Sequence, residues 1–368
     1  MFILQKTGIF GVFGAICVAF SLTSCDMSIP THVGNDVVAP ESNLKPVPYS
    51  ALPGWADDDV RYALQAFRNS CNAKLQYTGR VIPDPELVRE KCNMLPGAGA
   101  DVETVRTWFE SHFQAYKVYD DAGRTTGTYT GYYSPTIPAC RTRTAECNEP
   151  LMEAPSNSAL YKNVSKRQIV ENQIGRVLYW ANIVDVQNIQ IQGSGLLQLD
   201  DGSTVKLNFG ATNDMQFKSI GEQLRVRGIK PDGGYSADAV WKYLKKNPTL
   251  ANEVIYNNPR YVYFREAESK KVIGKLGTPL SKIRSIAVDD SIYTVGMPVY
   301  INTNLSDGRK FRRLMIAQDT GSAIRGWIRA DIFFGSGDEA YKYAHGQHAT
   351  GEMYILLPRE YTNVKPNE

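Results

Sequence analysis

The chain has 368 residues, 43% of them hydrophobic, and this length and composition predict a globular protein with two cored domains rather than a disordered chain. Its 41 basic and 38 acidic residues leave a formal net charge of +3, which is too balanced to indicate a nucleic-acid partner. The sequence contains no recognisable metal, nucleotide or haem motif, so we predict no cofactor and no metal site.

The N-terminus is typical of a bacterial lipoprotein signal. Residues 1–24 hold one lysine, an apolar run too short to span a membrane comfortably, and small residues before Cys25. We expect a signal peptide at 1–24, lipid on Cys25 and a polar tether at 25–46; an ordinary secretory signal is the alternative. We expect the periplasmic face of a bacterial membrane, the outer one in preference to the inner. Asp26 leaves that choice open, because an Asp there resembles an inner-membrane retention signal of enteric bacteria.

The cysteines outside the signal region form an even set, because Cys17 would leave with the signal peptide. The economical pairing is Cys71 with Cys92 and Cys140 with Cys147. Four cysteines allow three connectivities, so this pairing is a prediction. Zinc is the rival interpretation, but the spacing contains no CxxC and the few histidines are distant.

Two amphipathic helices are predicted in the first third of the chain. Residues 57–71 begin with acidic residues and repeat apolar side chains at steps of three and four. The same spacing in residues 102–118 places His112 on the buried stripe. There a hydrogen-bonded core histidine is a more common role than a catalyst.

From residue 126 the pattern changes to alternating Thr and Tyr, which predicts a strand that stops at Pro135. Tyr129, Tyr132 and Tyr133 are candidates for a platform that stacks sugar rings. Core packing is the alternative for at least one of them, and alternation makes Tyr132 and Tyr133 point opposite ways.

Residues 137–256 are predicted to form a second, inserted β-rich domain. We expect helices at 166–180, 217–226 and 236–246 and a strand-like run over 186–210 with a hairpin turn at Asp201–Gly202. Within that run lie amides and small residues suited to sugar hydroxyls and acetamido groups: Gln190, Gln192, Gly193, Ser194 and Gly195. The run is not a dinucleotide fingerprint, and Ser194 lacks a GxSxG setting and a histidine partner.

Beyond residue 260, seven strand-like runs with little helix between them predict a barrel rather than a doubly wound sheet. They cover residues 261–267, 271–277, 284–293, 297–303, 312–321, 326–335 and 352–358. A helix begins at Asp338. Its His345 and His348 have metal-capable spacing but no third ligand, so a solvated helix end is preferred.

Three aspartates each follow or close a strand-like run in this barrel: Asp289, Asp319 and Asp331. A single Asp there usually forms a turn, but three in one small domain indicate a site. Like charges and apolar neighbours such as Phe333 would favour a carboxyl protonated near neutral pH. Arg329 would oppose that, because alternation places it on the same side as Asp331.

Taken together, these motifs resemble the membrane-bound lytic murein transglycosylase A family. The matching stretches follow the family order from about residue 57 to 358 and include TGYYSPTIPACRTR, IQIQGSG, SIGEQL, NPRYVYF, RSIAVDDSIY and AQDTGSAIRGWIRADIFFGSGDEA. The resemblance implies a mainly β fold with a few peripheral helices. It implies a double-psi β-barrel domain from residues 47–136 and 257–360, a smaller inserted domain at 137–256, and a groove between them for a glycan strand.

The resemblance also implies a reaction. The family cleaves the β-1,4 bond between N-acetylmuramic acid and N-acetylglucosamine in peptidoglycan without adding water, which leaves a 1,6-anhydro-muramyl end. Asp331 matches the catalytic acid/base, and Asp319 and Asp289 match two supporting aspartates. Substrate contacts would fall on Thr130, Gly131, Tyr132, Gln192, Gly193 and Ser194, and we add Gly321 and Ser322, which stand where the family commonly has a glycine pair.

Two alternatives remain at this point: a hydrolytic muramidase with Asp319 activating water, and a non-catalytic peptidoglycan-binding lipoprotein. Met215, Gln216 and Phe217 stand where Gly, His and Tyr are more usual, which affects subsite detail. We expect a monomer that acts on glycan strands, is held at the membrane through Cys25, and joins cell-wall enzyme complexes.

Overall fold

The computed structural model describes residues 43–73, 81 and 85–362. The predicted signal peptide, the predicted lipid site Cys25 and the tether up to residue 42 lie outside them. Leu44–Pro46, the end of the predicted tether, instead form a strand that pairs antiparallel with residues 116–118. No helix in the described ranges has both the length and the apolar character needed to cross a membrane.

Strands carry most of the regular structure. They are β1 (Leu44–Pro46), β2 (Phe113–Val118), β3 (Gly127–Ser134), β4 (Thr136–Ala139), β5 (Glu149–Glu153), β6 (Arg176–Ala181), β7 (Gly195–Leu199), β8 (Thr204–Thr212), β9 (Val262–Ala267), β10 (Ser285–Val288), β11 (Pro298–Asn304), β12 (Lys310–Thr320), β13 (Arg329–Ser336) and β14 (His348–Pro358). The helices are α1 (Arg61–Cys71), α2 (Pro85–Asn93), α3 (Val102–His112), α4 (Lys166–Glu171), α5 (Ile183–Gln192), α6 (Ile220–Val226), α7 (Ala237–Lys246), α8 (Pro248–Tyr256) and α9 (Gly337–Ala344).

Six of these strands close into a barrel. Around it, the order is β14, β11, β12, β10, β13 and β3, and β3 pairs again with β14. The pairs β10–β12 and β13–β3 are parallel, and the other four are antiparallel. β2 and β1 extend the sheet from β14. The fold is therefore mainly β, with a closed six-strand barrel and a few helices.

A second group of strands lies between β3 and β10 along the chain. β4, β7, β8 and β9 form a four-stranded sheet, and β5 pairs with β6. Only Pro135 separates the end of β3 from the start of β4, so the second sheet begins directly at a barrel strand. β9 pairs with β8 in this sheet and not in the barrel. The sheet thus continues past the boundary predicted at residue 256.

Two predicted helices end earlier than expected. α3 ends at His112, and residues 113–118 form β2, because pairing with β1 and β14 outweighs the local helical pattern. His112 is partly exposed and stacks on Trp108 at 5.0 Å between ring centroids, so it does not lie on a buried stripe. The helix predicted over 166–180 ends at Glu171, and residues 176–181 pair with β5 instead.

The start of the predicted 186–210 strand is also wrong, because residues 183–192 form α5. Asn182 caps this helix by accepting from the Val184 amide, and Gly193 ends it with a φ of +76°. The hairpin turn at Asp201–Gly202 is confirmed, since β7 and β8 pair on either side of it. The strand predicted at residues 271–277 does not form. The helix α8 has no counterpart among the predicted elements.

The four cysteines of the described chain form two disulfides. Cys71 of α1 is bonded to Cys92 of α2, and Cys140 is bonded to Cys147. The pairing matches the economical assignment from the sequence. The first disulfide holds α2 against α1. The α1 residues Ala63, Leu64 and Phe67 belong to the same hydrophobic core as the barrel strands.

A buried ion pair joins the segment before α1 to two barrel strands. Arg284 donates to both carboxylate oxygens of Asp58, at 2.6 and 2.8 Å, and both side chains are almost fully buried. Asp58 also accepts from the Leu314 amide of β12 at 2.8 Å, and Arg284 donates to the Leu314 carbonyl at 2.8 Å. Each charge is thus both paired and hydrogen-bonded, which burial requires.

We expect Asp58→Asn to lower the free energy of unfolding by about 3–5 kcal/mol, because it leaves the Arg284 charge buried without its counter-ion. Urea unfolding measures the change. Glu171→Gln is the control, since its pair with Arg167 is 3.4 Å long and exposed on both sides. It should cost at most about 1 kcal/mol. Equal losses for the two variants would contradict this account.

Candidate active site

Three neighbouring strands bring Asp319 and Asp331 to the two sides of Ala287. In the strand register, Ala287 of β10 is paired with Asp319 of β12 and with Asp331 of β13. Neighbouring strands lie about 4.8 Å apart, which puts the two aspartate Cα atoms about 10 Å apart. Because residues at one register level face the same side, both carboxyls flank a short methyl group rather than a bulky side chain.

This face of the strands is the outer face of the barrel. The neighbours of Asp331 along β13, Ala330 and Ile332, are fully buried in the barrel core. Alternation therefore turns Asp331 outward, where it is partly exposed. Asp319 and Asp331 lie within strands, whereas the sequence predicts turns after strands at these positions.

A β-bulge places Asp319 at this level. Ile286 pairs with Ala317, but the next residue, Ala287, pairs with Asp319, so Gln318 is the extra residue. Gln318 is fully buried and donates to the Ala66 carbonyl and the Ser70 hydroxyl of α1. The helix thus holds the bulge, and the bulge moves the carboxylate into register with Asp331.

Asp331 has one oxygen engaged by protein donors. Thr130 of β3, its partner in the parallel register, donates its hydroxyl to Oδ1 at 2.7 Å. Within the part of the chain that the structure describes, no protein donor reaches Oδ2. Burial raises the pKa of Asp331, while the Thr130 hydrogen bond and the positive charge of Arg329 work against that rise.

Asp319 has both oxygens engaged. Oδ1 accepts from the backbone amides of Lys275 and Thr320 at 3.0 Å each, and Oδ2 accepts from the Tyr132 hydroxyl at 2.9 Å. Burial nevertheless raises the pKa of Asp319 to about 6, and the charge of Asp331 adds to that rise. A carboxyl group that changes charge near neutral pH therefore sits beside Asp331.

Asp289 does not join the other two carboxyls. It follows β10 and accepts from the Ser291 hydroxyl at 2.7 Å and from Arg325 and the Gly326 amide at 2.8 Å each. Although burial works to raise the pKa of Asp289, these hydrogen bonds bring it below its usual value. Asp289 thus fixes the loop that joins β12 to β13, which carries Gly321 and Ser322.

The aromatic residues of β3 divide between the core and the site. Tyr129 is fully buried in the barrel core, so core packing is its role. Tyr132 lies beside Phe333, with 5.2 Å between ring centroids, and reaches Asp319 through its hydroxyl. Tyr133 points the other way and contacts Tyr341 at 5.4 Å, which confirms the predicted alternation.

Residues 190–194 lie against the end of β3. Gln192 accepts from the Tyr133 amide at 3.3 Å and is partly exposed, as is Gly193. Ser194 and Gln190 are buried and bond to other parts of the protein, to the Ser134 hydroxyl and the Val262 carbonyl. Of the predicted sugar-binding residues in this stretch, Gln192 and Gly193 therefore remain accessible beside β3.

Two cations near the site carry no clear sequence signal for their roles. Lys206 of β8 is 3% exposed, donates to the Ser134 hydroxyl at 2.5 Å, and has its pKa lowered to about 8 by burial. In an alternating strand the sequence favours a solvated lysine at this position. Arg329 donates to the Thr130 hydroxyl at 2.9 Å. The sequence predicts that Arg329 lies on the same side of the strand as Asp331, but it does not predict this contact.

The two predicted metal-spaced histidines separate onto different elements. His345 follows the last residue of α9, and His348 begins β14. His348 stands opposite Thr130 in the register of β14 and β3 and is exposed. His348 therefore lies at the edge of the site.

Comparison with known proteins gives consistent matches. The family description "MltA specific insert domain" matches residues 128–265, and "3D domain" matches residues 284–357. The membrane-bound lytic murein transglycosylase A of Escherichia coli K12 is 30% identical over 240 residues, which cover 62% of this chain and 65% of that protein. The chain thus spans slightly less than two thirds of the length of that curated relative.

Solved structures match over more of their length. A membrane-bound lytic murein transglycosylase from Agrobacterium tumefaciens is 28% identical, with a TM-score of 0.77 over 86% of this chain and 98% of that one. The lytic transglycosylase LtgG of Burkholderia pseudomallei is 31% identical, with a TM-score of 0.58 over 88% of this chain and 97% of that one.

The raised pKa of Asp319 predicts a pH-dependent stability. Its folded-state pKa of about 6 lies above the usual unfolded value, so the folded state binds the proton more tightly. Stability from this group is therefore present below about pH 4 and lost as the pH rises through about 6. We expect Asp319→Asn to gain about 1–2 kcal/mol relative to wild type between pH 4 and pH 7.

Urea unfolding at several pH values measures this difference. Asp232→Asn, the same change at an exposed position, is the matched control. A constant difference between Asp319→Asn and wild type across this range would show that Asp319 does not titrate with a raised pKa.

Proposed function

This chain belongs to the membrane-bound lytic murein transglycosylase A family, and from that premise we propose that it is a lytic transglycosylase of peptidoglycan. The bond cleaved is the β-1,4 link between N-acetylmuramic acid and N-acetylglucosamine, and the product carries a 1,6-anhydro-muramyl end. The observation that carries the proposal is the outward-facing pair of Asp319 and Asp331 at one register level of the barrel.

The acid/base is Asp331. The pKa alone would favour Asp319, whose value is about 6. Hydrogen bonding favours Asp331, because both oxygens of Asp319 already accept protein hydrogen bonds, whereas Oδ2 of Asp331 has no donor among the described residues. A general acid must bring its proton within hydrogen-bond reach of the leaving oxygen, so accessibility decides between the two.

The reaction then needs one carboxyl group in two protonation states. Asp331 gives its proton to the glycosidic oxygen as the bond from that oxygen to C1 of the muramyl residue breaks. The acetamido oxygen of the same sugar attacks C1 and holds the positive charge. The muramyl C6 hydroxyl next attacks C1, the acetamido oxygen departs, and the Asp331 carboxylate takes the hydroxyl proton. The acid is thereby regenerated without water.

Asp319 is a supporting residue in this proposal. A hydrolytic muramidase needs a second carboxylate free to activate water. Asp319 is poorly suited to that role, because backbone amides of Lys275 and Thr320 hold one oxygen and Tyr132 holds the other. The charge of Asp331 instead helps to raise the pKa of Asp319, so the two carboxyls are electrostatically linked.

The glycan-binding surface that we propose combines β3, β13 and the end of α5. Tyr132 is partly exposed and packs against the buried ring of Phe333, and Gln192 and Gly193 are accessible beside it. Gly131 supports this surface from the core side, because a Cβ there would lie 2.5 Å from the buried Phe334 ring. Ser194 acts from behind the surface through Ser134, and the exposed Ser322 with Gly321 borders it.

The finer fold features are part of the proposal. The mixed parallel and antiparallel order of the closed barrel supports a double-psi topology. The chain between Ser134 and Ser285 supports an inserted domain, which extends to Ala267 because β9 pairs within it. We further propose a monomer anchored by lipid on Cys25 at the periplasmic face of the outer membrane, acting on glycan strands with other cell-wall enzymes.

We expect Asp331→Asn to lower the rate of anhydro-product release about 100- to 10,000-fold, because no other carboxyl offers a free oxygen at this place. Mass spectrometry of digested sacculi measures the 1,6-anhydro ends. Asp232→Asn is the control and should keep wild-type activity. Pull-down on insoluble sacculi should show that Asp331→Asn still binds.

Three results would contradict the proposal. Reducing-end products without anhydro ends would indicate the hydrolytic muramidase. Undiminished turnover in Asp331→Asn would reject Asp331 as the acid/base, and an absence of turnover in the wild type would favour a peptidoglycan-binding protein.

A further inference from the structure

Arg329 occupies a position that the reaction itself does not explain. It stands two residues before Asp331 on the same outer face of β13 and is partly exposed. Its guanidinium donates to the Ala330 carbonyl at 2.5 Å and to the Thr128 carbonyl at 3.5 Å. These contacts hold the group across β13 and β3 instead of leaving it in solvent.

The third contact of this guanidinium leads to the acid. Nη2 of Arg329 donates to the Thr130 hydroxyl at 2.9 Å, and that hydroxyl lies 2.7 Å from Oδ1 of Asp331. A guanidinium has donors only, so the Thr130 oxygen must accept from it. The single hydroxyl proton of Thr130 is then left to point at Asp331. The bond from Arg329 thus has a fixed direction, and it leaves the hydroxyl proton of Thr130 to donate to Oδ1 of Asp331.

We propose that Arg329 is a positioning residue that acts through Thr130: it keeps the Thr130 proton on Oδ1 of Asp331, so that the acidic proton resides on Oδ2 and faces the substrate. This inference rests on the proposed function. It also gives Thr130 a different role from the substrate contact implied by the sequence resemblance, because its hydroxyl is already used twice within the protein.

Arg329, Thr130 and Asp331 form a relay of two hydrogen bonds. The other charged and titratable groups around Asp331 do not replace this relay. Asp319 on β12 is engaged with Tyr132 of β3 and with the Lys275 amide, and β10 presents only Ala287 at this level. His348 of β14 is paired with Thr130 on the edge of β3 that faces away from β13 and Asp331. Arg329 is thus the cation whose charge acts on Asp331, and it lowers the pKa of that carboxyl against the effect of burial.

The expected effects follow from the relay. Arg329→Met frees the Thr130 hydroxyl to rotate, and Thr130→Val removes the bond to Oδ1. Each should lower kcat about 10- to 100-fold with little change in KM, because the proton is no longer held on one oxygen. Each also removes a stabiliser of the ionised carboxylate, so the alkaline limb of the pH profile of kcat/KM should move up by about one unit.

The experiment compares these variants on solubilised glycan strands from peptidoglycan, with anhydro products quantified by chromatography from pH 4 to 9. Thr130→Ser keeps the hydroxyl and should restore most of kcat and the wild-type profile. The double variant should lose no more than the larger single loss, because the two residues act as one unit. Arg227→Met and Thr204→Val are matched controls at exposed positions.

Several outcomes would overturn the inference. A lower kcat with an unmoved pH profile would make both residues merely structural. A raised KM with normal kcat in Thr130→Val would restore the substrate-contact role. Should Arg329→Met fail to fold, as judged by circular dichroism, the Val and Ser variants at Thr130 still decide the question. Full activity of Asp331→Asn would instead reject the proposed function, a result distinguishable from all of these.

Discussion

The site depends on one register constraint, the placement of Asp319 and Asp331 on either side of Ala287. Each strand of a closed barrel is paired on both edges, so a one-residue slip in β10, β12 or β13 would break two ladders at once. Closure therefore fixes the level of both carboxyls more strongly than an open sheet edge would. The bulge at Gln318 is the one local departure, and the buried contacts of Gln318 with α1 make that departure stable.

The pKa values of the three aspartates depend on burial and on which groups donate hydrogen bonds to each carboxyl. Burial raises the pKa of both carboxyls, and the charge of Asp331 adds to the rise at Asp319. The donors then separate their roles: Asp319 accepts from two amides and a phenol, whereas no described residue donates to Oδ2 of Asp331. Asp289 differs from both, because several donors hold its pKa below the usual value. Its hydrogen bonds fix the β12–β13 loop. The same residue type thus performs three tasks through local hydrogen bonding.

The sequence predicts most of the barrel strands because they are apolar and punctuated by Gly, Pro and Asp. It fails where tertiary pairing overrides a local pattern: Phe113–Val118 look helical but fill the space between β1 and β14. It fails again at residues 186–192, whose apolar side chains suit a strand or a buried helix equally well. The acidic residues could be named from the sequence, but not the bulge that aligns Asp319, the separation of Asp289, or the burial of Lys206.

The glycan-binding surface that we propose crosses the junction between the barrel and the second sheet. Tyr132 and Asp331 share the barrel framework, but Gln192 and Gly193 belong to the second region, so the two halves of the surface must hold a fixed distance. Pro135 alone links β3 to β4, and the Gln192 side chain accepts from the Tyr133 amide across the same junction.

The buried side chain of Lys206 also connects the barrel to the second sheet. Its ammonium is buried against the Ser134 hydroxyl, which also receives the Ser194 hydroxyl, so the last residue of β3 and the turn after α5 meet at one point. A buried cation without a carboxylate partner is costly to maintain. Lys206 thus lies where β3 meets the turn after α5, two segments that we propose to bind glycan, and such local conflicts concentrate at functional sites.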